Sequence, residues 1–494
     1  MKDGTLLAAV DLGSNSFRLE IGRFEHGQIR PTEYHKETVR QGNGLDEARN
    51  LTPEAMQRGW DCLARFGERL AGFGKPQVRA VATQTLREAR NREAFLSQAH
   101  RVLGFPIDVI SGREEARLIY QGVAHLLPQS GERRLVADIG GRSTELILGR
   151  QFDARRMESY RVGSVAWSMK YFPGGDFTAD AFETAEVAAK AVLDEAADAF
   201  APDQWEVAYG SSGTIGAVDD ILLAQSWQGG VTRAGLDWLV QQLLAARSAQ
   251  RVRLEGLKED RRAVLGGGIS ILRALFDLLQ IGTMRSAEGA LRHGVLYDLL
   301  EREQGGTDVR SATVQGLAAK FGVDPAQAQR VGRVACLLLR QLDTGTDPEA
   351  ETARHERKLG WAAQLHEIGS RISHSDYHKH GAYILDNADA PGFSQPELHR
   401  LSLLVLGHRG KLRKLEADFA DELFTHQLLC LRLAVILCHA RRDPDLKGMQ
   451  LRGASTQIML HLRSDWIKAY PQSAHLLREE VVAWQKTPWT LELV

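Results

Sequence analysis

The chain has 494 residues, enough for three or four domains at about 100–200 residues each. Hydrophobic residues make up 43% and charged residues 25% of it, and the net charge is −1. This composition is ordinary for a globular protein and argues against a nucleic-acid-binding protein, so any site for a polyanion must be a local patch.

Cysteine spacing and hydropathy argue against several further classes of protein. The four cysteines lie far apart without a CxxC pair, which argues against a disulfide framework or a zinc ribbon. The N-terminus lacks the apolar core of a signal peptide, and no run of about 18 apolar residues predicts a transmembrane helix. We expect a cytoplasmic enzyme and leave peripheral membrane association open.

An internal repeat is the most informative feature of the first half. Residues 8–24 read AAVDLGSNSFRLEIGRF and residues 136–152 read VADIGGRSTELILGRQF. Asp11 aligns with Asp138 at a spacing of 127 residues, and the alignment continues without gaps. Each copy is an apolar run, an Asp-x-Gly turn with hydroxyl side chains, and an alternating strand, which predicts a β-hairpin.

Strands alternate with helices around these hairpins. Val78–Ala82 and Phe105–Ile110 have the short apolar pattern of buried strands, and Glu114–Leu126 has the apolar spacing of a helix. Beyond the second hairpin, Glu206–Tyr209 predicts a strand and Gly213–Leu223 a helix. This alternation predicts mixed α/β layers.

The character of the sequence changes near residue 305. The segment EQGGTDVRS predicts a polar linker, and beyond it strand signals fade and long helical patterns follow. Residues 309–448 therefore predict an all-helical domain. An alternating pattern returns near the C-terminus and predicts a small α+β piece over residues 449–494.

The two hairpin turns have the composition of phosphate loops. Glycine leaves backbone N–H groups open to an anion, and the hydroxyl groups of Ser14, Ser16, Ser143 and Thr144 add donors. Two such turns facing each other would clamp a phosphate. The GSSGT turn at 210–214, where a helix begins, is a third candidate. One turn alone is usually an ordinary hairpin, so the prediction depends on the repeat.

The paired DLGSNS and DIGG-x-ST loops resemble the phosphate loops of the actin, hexokinase and Hsp70 superfamily. Within it, the chain resembles the exopolyphosphatase / guanosine pentaphosphate phosphatase family, and most of all its long exopolyphosphatases. The resemblance covers most of the chain in order. It is carried by VDLGSNSFRL, TQTLREA, ISGREEARLIYQGV, DIGGRSTEL, YGSSGT, EGALRHGVLYDLL and LHEIGSRISHSDYHKHGAYIL.

The resemblance implies an α/β fold with two actin-like, ribonuclease-H-like domains around a cleft, over residues 1–130 and 131–305. An all-helical HD-like domain follows over 309–448, and the small α+β piece ends the chain over 449–494. The family hydrolyses the terminal phosphate of inorganic polyphosphate, or the 5′-γ-phosphate of guanosine pentaphosphate, with Mg²⁺. Long members tend to dimerise, so the resemblance also implies a homodimer.

The resemblance also implies the site residues. Glu115, the second glutamate of SGREEA, matches the catalytic base, and Arg87 in TLRE matches a basic residue facing the cleft. Asp138 and Glu145, together with Asp11, match metal-binding positions. The implied phosphate-binding residues are Ser14, Asn15, Ser16, Gly141, Arg142, Ser143, Thr144, Ser212, Gly213 and Thr214. Without the resemblance, Glu115 would be read as an ordinary first-turn glutamate of a helix.

The second half contains a pattern related to metal-dependent HD phosphohydrolases. Leu365-His366-Glu367 lies where those enzymes carry a His-Asp pair. Glu367 adds a methylene that metal geometry tolerates poorly, so we predict a non-catalytic HD-like fold. The alternative is a metal cluster that includes surrounding histidines, namely His355, His374, His378, His380 and His408.

Two basic stretches of the helical domain predict a track for the tail of a long polyphosphate. The residues are His378, Lys379 and His380 in YHKH, and Arg409, Lys411 and Lys414 in HRGKLRK. The second stretch has four Lys or Arg in seven residues and no acid. The alternative is an ordinary solvated face.

These observations predict an exopolyphosphatase that uses a Glu-activated water and Mg²⁺. The close alternative is a guanosine pentaphosphate 5′-phosphohydrolase. A kinase of the same superfamily is a more distant alternative, since we find no convincing aspartate base outside the phosphate loops. A non-catalytic polyphosphate sensor is the other distant alternative.

Arg142 departs from the family pattern, which usually reads DIGGGSTE. We expect its guanidinium to point into the cleft and pair with substrate phosphate, because the planar fork matches phosphate oxygens. The alternative is that the backbone there needs no positive φ and the side chain lies against an acidic residue.

Overall fold

Each predicted hairpin begins a mixed sheet in the computed structural model, which describes residues 2–128, 130–303, 308–342, 349–454 and 456–494. The chain divides into two units, Met1–Asp308 and Val309–Val494. Residues 304–307 of the predicted linker lie outside the described residues. None of the described helices has the length and hydropathy that crossing a bilayer requires.

The first actin-like domain is built around the first hairpin. Its elements are β1 (Leu6–Leu12), β2 (Phe17–Glu25), β3 (Gln28–Glu37), α1 (Pro53–Arg69), β4 (Val78–Ala82), α2 (Gln84–Glu88), α3 (Arg92–Leu103), β5 (Ile107–Val109) and α4 (Gly112–Leu126). The sheet order is β3-β2-β1-β4-β5; the β1–β2 and β2–β3 pairs are antiparallel, and the β1–β4 and β4–β5 pairs are parallel.

The second actin-like domain is built around the second hairpin. Its elements are β6 (Arg133–Ile139), β7 (Thr144–Arg150), β8 (Asp153–Tyr160), α5 (Ser164–Tyr171), α6 (Ala179–Leu193), α7 (Ala196–Ala199), β9 (Val207–Ser211), α8 (Gly213–Ala224), β10 (Val231–Thr232), α9 (Arg233–Ala246), α10 (Leu265–Leu278), β11 (Thr283–Ser286) and α11 (Leu291–Glu303). The sheet order is β10-β11-β9-β6-β7-β8. Read from β8, it repeats the order of the first sheet.

The repeat extends to the irregularities of the two sheets. A bulge follows Ile21 in the β2–β3 pair and follows Leu148 in the β7–β8 pair, at equivalent positions. The residue after the bulge is a glycine in both copies, Gly22 and Gly149. A Cβ added to Gly149 would lie 2.1 Å from the ring of Tyr120, so close packing excludes a side chain there. The predicted pair of actin-like domains is confirmed.

Helices α4 and α11 pack between the two sheets. Val81 of the first sheet and Val136 of the second belong to one buried cluster with Ile119 of α4. The two helices touch through their backbones: a Cβ added to Gly294 would lie only 1.7 Å from the carbonyl oxygen of Leu118. This packing fixes α4, whose first turn carries Glu115.

The second unit is mainly helical and ends in a small sheet, as predicted. Its elements are α12 (Val309–Lys320), α13 (Pro325–Leu342), α14 (Glu349–Leu365), α15 (Tyr377–Asn387), α16 (Gln395–Gly407), α17 (Glu422–Leu437), β12 (Gln450–Ala454), β13 (Gln457–His461), α18 (Ser464–Ala469), α19 (Pro471–Trp484) and β14 (Thr490–Leu493). The sheet order is β12-β13-β14, and its apolar face joins the core of the helices.

Candidate active site

A cleft of about 290 Å³ lies where the two hairpin turns meet the start of α8. It brings together most of the residues that the sequence predicts for the site. The predicted residues that line it are Asp11, Ser14, Asn15, Ser16, Glu115, Asp138, Gly141, Ser143, Ser212, Gly213 and Thr214.

The two turns face each other at van der Waals distance. A Cβ added to Gly141 would lie 3.1 Å from Cβ of Ser14, so a side chain there would have to push the two turns slightly apart. The buried hydroxyl of Ser16 has no hydrogen-bond partner among the described residues. It is therefore free to donate to a ligand between the turns.

The start of α8 forms the third side of the cleft. Ser212 caps the helix, and its hydroxyl accepts from the N–H groups of Thr214 at 3.2 Å and Ile215 at 3.4 Å. A Cβ added to Gly213 would lie 2.0 Å from Nη2 of Arg261, so the missing side chain admits that guanidinium. A helix N-terminus beside a guanidinium favours an anion.

Glu115 enters the cleft from the first turn of α4. The helix begins after Ser111, whose hydroxyl accepts from the N–H of Glu114 at 3.1 Å. Burial raises the pKa of the Glu115 carboxyl, and the charge of Arg87 opposes that rise. Arg87 is not among the residues that line the cleft; its Nη1 donates to Oε2 of Glu115 at 2.7 Å.

Glu114 points away from the cleft into a buried ionic network. Its carboxylate accepts from Nε and Nη2 of Arg117 at 2.8 and 2.9 Å. Arg117 and Arg79 both donate to Asp298 of α11. The sequence did not reveal this network, because Asp298 is distant along the chain and no local motif marks it.

The two hairpins differ in charge where they are otherwise equivalent. Asp11 pairs in register with Arg18, and Asp138 pairs in register with Glu145. Nη1 of Arg18 donates to Oδ2 of Asp11 at 2.8 Å, so the first hairpin neutralises its own aspartate. The second hairpin carries two carboxylates and no cation at these positions.

These carboxylates are buried close together. Burial raises the pKa of Asp138 to about 6, and the nearby charges of Glu115 and Asp11 add to the rise. Burial and the charges of Glu115 and Asp138 raise the pKa of Glu145 well above its ordinary value. The cluster of like charges therefore favours either protons or a cation.

The residues fit a magnesium ion that keeps part of its water. Oε2 of Glu145 and Oδ1 of Asp11 are buried and have no hydrogen-bond partner among the described residues, and carboxylate oxygens are the ligands that Mg²⁺ prefers. Within the described residues, no group of three or more His, Cys, Asp or Glu side chains is arranged to hold a metal by itself. Mg²⁺ is usually bound by one or two carboxylates together with substrate phosphates.

Several cations of the cleft were missed by the sequence analysis. Arg18, Lys36, Arg261 and Arg292 all line it. Lys36 pairs with Asp260 at 2.8 Å, and the guanidinium of Arg292 lies 4.8 Å from the ring centroid of Tyr34. Arg18 lies in the repeat itself and was available to the sequence analysis. The others come from distant segments that only the fold brings together.

Arg142 does not line the cleft, contrary to our expectation. Its Nη2 and Nε donate to Oε2 of Glu88 at 2.9 and 3.1 Å, and its Nη1 donates to the carbonyl of Gly42 at 3.2 Å. Its φ is not positive, so the turn accepts a side chain there. The alternative, an arginine held by an acidic residue, is what the structure shows.

Thr144 and Glu145 also lie behind the wall of the cleft. The hydroxyl of Thr144 is buried and donates to the carbonyl of Val162 at 2.6 Å, so its proton is not available to a phosphate. Oε1 of Glu145 accepts from the hydroxyl of Ser159 at 2.7 Å. The hydroxyl of Thr214, although at the cleft, donates to the carbonyl of Ile139 at 3.1 Å.

The histidines of the second unit form a packed cluster. The rings of His366 and His408 meet edge to face, with centroids 5.4 Å apart. Each donates its Nδ1 proton to a backbone carbonyl at 2.6 Å. Glu367 pairs with Arg441 at 2.6 Å. These contacts give His366, His408 and Glu367 partners within the second unit.

The predicted basic track is only partly a charged surface. Lys379, Arg409, Lys411 and Lys414 are exposed, and His380 is half-buried. His378 is buried, and burial together with Lys414 and Arg409 lowers its pKa. His378 is therefore neutral near pH 7 and is not a surface cation, contrary to our expectation.

The sequence matches family descriptions over almost its whole length. The Ppx/GppA phosphatase family matches residues 21–303, and domain III of the Ppx/GppA phosphatases matches residues 309–481. The chain belongs to the Ppx/GppA phosphatase family. Membership makes it a phosphohydrolase and leaves the kinase alternative without support.

Curated relatives of the family are similar over their full length. A guanosine-5'-triphosphate,3'-diphosphate pyrophosphatase of Pseudoalteromonas translucida is 39% identical, over 98% of this chain and 97% of the relative. A Vibrio cholerae protein of the same name is 38% identical, over 99% and 98%. Neither bears the name exopolyphosphatase, so our expectation of closest similarity to the long exopolyphosphatases is not supported.

Solved structures share the fold of about three fifths of this chain. An exopolyphosphatase from Cytophaga hutchinsonii has a TM-score of 0.54 and 23% identity, and covers 60% of this chain and 98% of its own. The Ppx/GppA family member of Aquifex aeolicus has a TM-score of 0.51 and 23% identity, over 60% and 98%. At this identity the likeness establishes the fold alone.

Proposed function

We propose that this chain is a guanosine pentaphosphate phosphohydrolase that removes the terminal phosphate of the 5′-triphosphate. The chemistry is supported by one arrangement: a buried carboxylate, Glu115, at the edge of a cleft built from two phosphate loops. The choice of substrate is supported by the relatives, which are named for guanosine 5'-triphosphate,3'-diphosphate and match this chain from end to end.

In the proposed reaction, water attacks the terminal phosphorus. The new bond joins the water oxygen to phosphorus, and the bond from phosphorus to the bridging oxygen of the next phosphate breaks. Glu115 takes the proton of the attacking water. The turns at 13–16 and 140–143 hold the phosphate oxygens with backbone N–H groups and the hydroxyls of Ser14, Ser16 and Ser143. Positioning and charge neutralisation supply most of the catalysis in such transfers.

The cofactor we propose is Mg²⁺ held at the cleft by Asp138, with Glu145 behind the wall as the second carboxylate and Asp11 nearby. Once bound, the ion neutralises charge that develops on the phosphate oxygens. The mismatch in charge between the hairpins supports this assignment, because Arg18 already balances Asp11 in the first hairpin. Arg261 extends positive charge along the cleft for the remaining phosphates.

An aromatic side chain at the cleft gives a nucleoside a place to stack. Tyr34 lines the cleft and is 49% exposed although it is a large apolar ring. A guanine base gains binding free energy by stacking on such a ring, whereas polyphosphate has no base to stack. Tyr34 therefore supports the nucleotide over the simple polymer.

The test is a comparison of substrates with purified protein and Mg²⁺. We expect release of phosphate from guanosine pentaphosphate with guanosine tetraphosphate as the other product, separated by anion exchange. Glu115→Gln should lower kcat by about 10²–10⁴-fold, the usual contribution of a general base. Glu93→Gln, whose side chain is 81% exposed on α3, is the matched control. No phosphate release, or equal kcat for both variants, would contradict the proposal.

Polyphosphate hydrolysis is the second candidate, favoured by the exposed cations of the second unit. Lys379, Arg409 and Lys414 lie near the buried His378, and Lys411 is an exposed residue between Arg409 and Lys414 in sequence. If this cluster holds a polymer, Lys411→Ala with Lys414→Ala should raise KM for long polyphosphate and leave KM for guanosine pentaphosphate unchanged. Equal KM values for long polyphosphate in the variant and the unmodified protein would remove this support.

A further inference from the structure

A chain of side-chain hydrogen bonds joins Arg142 of the second phosphate loop to Glu115. Arg142 donates to Oε2 of Glu88 at 2.9 Å. Oε1 of Glu88 accepts from Nε2 of Gln84 at 2.6 Å, and Oε1 of Gln84 accepts from Nε of Arg87 at 3.1 Å. Arg87 then donates to Glu115 at 2.7 Å. We call these five side chains the relay.

The short helix α2 presents the middle of the relay. Positions 84, 87 and 88 are three and four residues apart, so Gln84, Arg87 and Glu88 lie on one face of the turn. Nη1 of Arg87 also donates to the carbonyl of Ile110 at 2.9 Å, which anchors the guanidinium near the start of α4. Gln84 is buried, so its amide has few other partners.

The chemistry of the groups fixes the direction of every hydrogen bond. A guanidinium can only donate and a carboxylate can only accept. The amide of Gln84 must therefore turn its oxygen toward Arg87 and its nitrogen toward Glu88. In the middle of the relay, Arg87 therefore donates to Gln84 and Gln84 donates to Glu88.

We propose that Glu88 and Gln84 are positioning residues, which hold Arg87, and through it the Glu115 carboxylate, in line with the cleft. Arg142 docks the phosphate loop of the second domain onto the outer end of this relay. The orientation of the base is thus tied to the docking of that loop. The proposal rests on the proposed function, because it takes Glu115 as the base.

Gln84 does not touch the phosphate loops through its relay contacts, and Glu88 meets them only at the side chain of Arg142, which does not line the cleft. Disturbing the relay should therefore move the base without removing phosphate donors. Such a change lowers kcat and leaves KM nearly unchanged. A displacement of about 1 Å in a reacting group can cost about 100-fold in rate.

The experiment changes the hydrogen-bonding groups at positions 84 and 88 one at a time and then exchanges them in a double variant. In Glu88→Gln, the new amide has one acceptor oxygen for two donors, the amide of Gln84 and the guanidinium of Arg142. Its nitrogen must therefore face one of these donors. In Gln84→Glu two carboxylates face each other. We expect each single variant to lower kcat by about 10- to 100-fold, with KM within about twofold of the unmodified protein.

The double variant, Gln84→Glu with Glu88→Gln, exchanges the two groups. A carboxylate at 84 accepts from Arg87, and an amide at 88 donates to that carboxylate and accepts from Arg142. We expect kcat to recover to within about threefold of the unmodified protein, an estimate from the restored hydrogen bonds. Glu93→Gln controls for the loss of one carboxylate. Unchanged kcat in both single variants, or no recovery in the double variant, overturns the proposal.

A variant at the outer end separates the relay from direct phosphate binding. Arg142 has no positive φ, so Arg142→Gly removes the side chain without requiring a new path of the turn. We expect a several-fold fall in kcat at unchanged KM. A raised KM at unchanged kcat would mean that the guanidinium binds phosphate and would overturn the relay.

Failure of the proposed function gives a different result. If the unmodified protein hydrolyses polyphosphate and not guanosine pentaphosphate, the same variants are measured on polyphosphate, and their pattern still decides the relay. If it hydrolyses neither, the proposed function and the relay both fall.

Discussion

Arg18 and Glu145 occupy equivalent positions of the two hairpins, each opposite the aspartate of the neighbouring strand. The repeat thus gives one hairpin an ion pair and the other a pair of carboxylates. Both aspartates precede a phosphate loop, but only Asp138 faces a second acid across its strand pair. We infer a division of roles between two hairpins of the same fold.

The first prediction concerns the metal. Asp138→Asn removes one of two carboxylates from the acidic hairpin, so the Mg²⁺ concentration for half-maximal activity should rise by about 10-fold or more. Asp11→Asn is the matched change in the other hairpin, where Arg18 already balances the charge, and should raise it only a few-fold. Mg²⁺ titrations of initial rates measure both. Equal shifts would contradict the division of roles.

The second prediction concerns substrate choice. Tyr34→Ala should weaken binding of guanosine pentaphosphate by about 1–3 kcal/mol, the usual value of base stacking, and so raise its KM about fivefold or more. KM for polyphosphate should stay the same, and Tyr34→Phe should keep both values. An equal rise on both substrates would show instead that Tyr34 acts through Arg292, which rests against its ring.

The third prediction concerns acid stability. Burial on its own would raise the pKa of Asp298, but the charges of Arg79, Arg302 and Arg117 outweigh it and hold the pKa well below its ordinary value. A depressed pKa stabilises the folded state above the unfolded pKa of about 3.9 and loses that effect as the pH falls further.

Asp298→Asn should therefore lower the free energy of unfolding by about 3–5 kcal/mol at pH 7, because the buried guanidinium groups of Arg79 and Arg117 lose the carboxylate that they share. The difference from the unmodified protein should shrink below about pH 4. Urea unfolding at pH 7 and at pH 3.5 measures it. Asp153→Asn, an exposed aspartate paired with Arg155, is the control and should show no such dependence. A constant difference at both pH values would count against the ionic network.

The fourth prediction concerns the packing of α4 against α11. Gly294→Ala would place a Cβ 1.7 Å from the carbonyl of Leu118, so α4 and α11 must separate. Overpacking of this kind costs about 1–3 kcal/mol, and kcat should fall as well because α4 carries Glu115. Gly216→Ala in α8 meets open space and should keep or slightly raise stability. Thermal unfolding compares them, and equal melting temperatures would contradict the packing argument.

Much of the fold could be predicted from the sequence because its signals are local. The hairpins come from alternation and from Asp-x-Gly turns, and the 127-residue repeat links them into two related domains. The resemblance supplied Glu115, which a first-turn glutamate alone would not have indicated. Its place at the cleft follows from the cap at Ser111 and from the packing of α4.

The partners of these residues could not be predicted, because contacts across the chain leave no local pattern. Glu88 meets Arg142, 54 residues away, and Asp298 meets Arg117, 181 residues away. The orientation of Arg142 stayed undecided for the same reason. His378 is different: its spacing to Ala382 and Leu385 places all three on the buried face of α15, a helical pattern that the basic composition of YHKH obscured.

The backbone at position 142 has an evolutionary consequence. Because that residue has no positive φ, the turn keeps its path whether it carries glycine or arginine. Lineages can therefore exchange this side chain without rebuilding the phosphate loop, and each exchange tightens or releases the hold on Glu88. Under the proposed relay, a change of one codon would then adjust turnover and leave the affinity for phosphate unchanged.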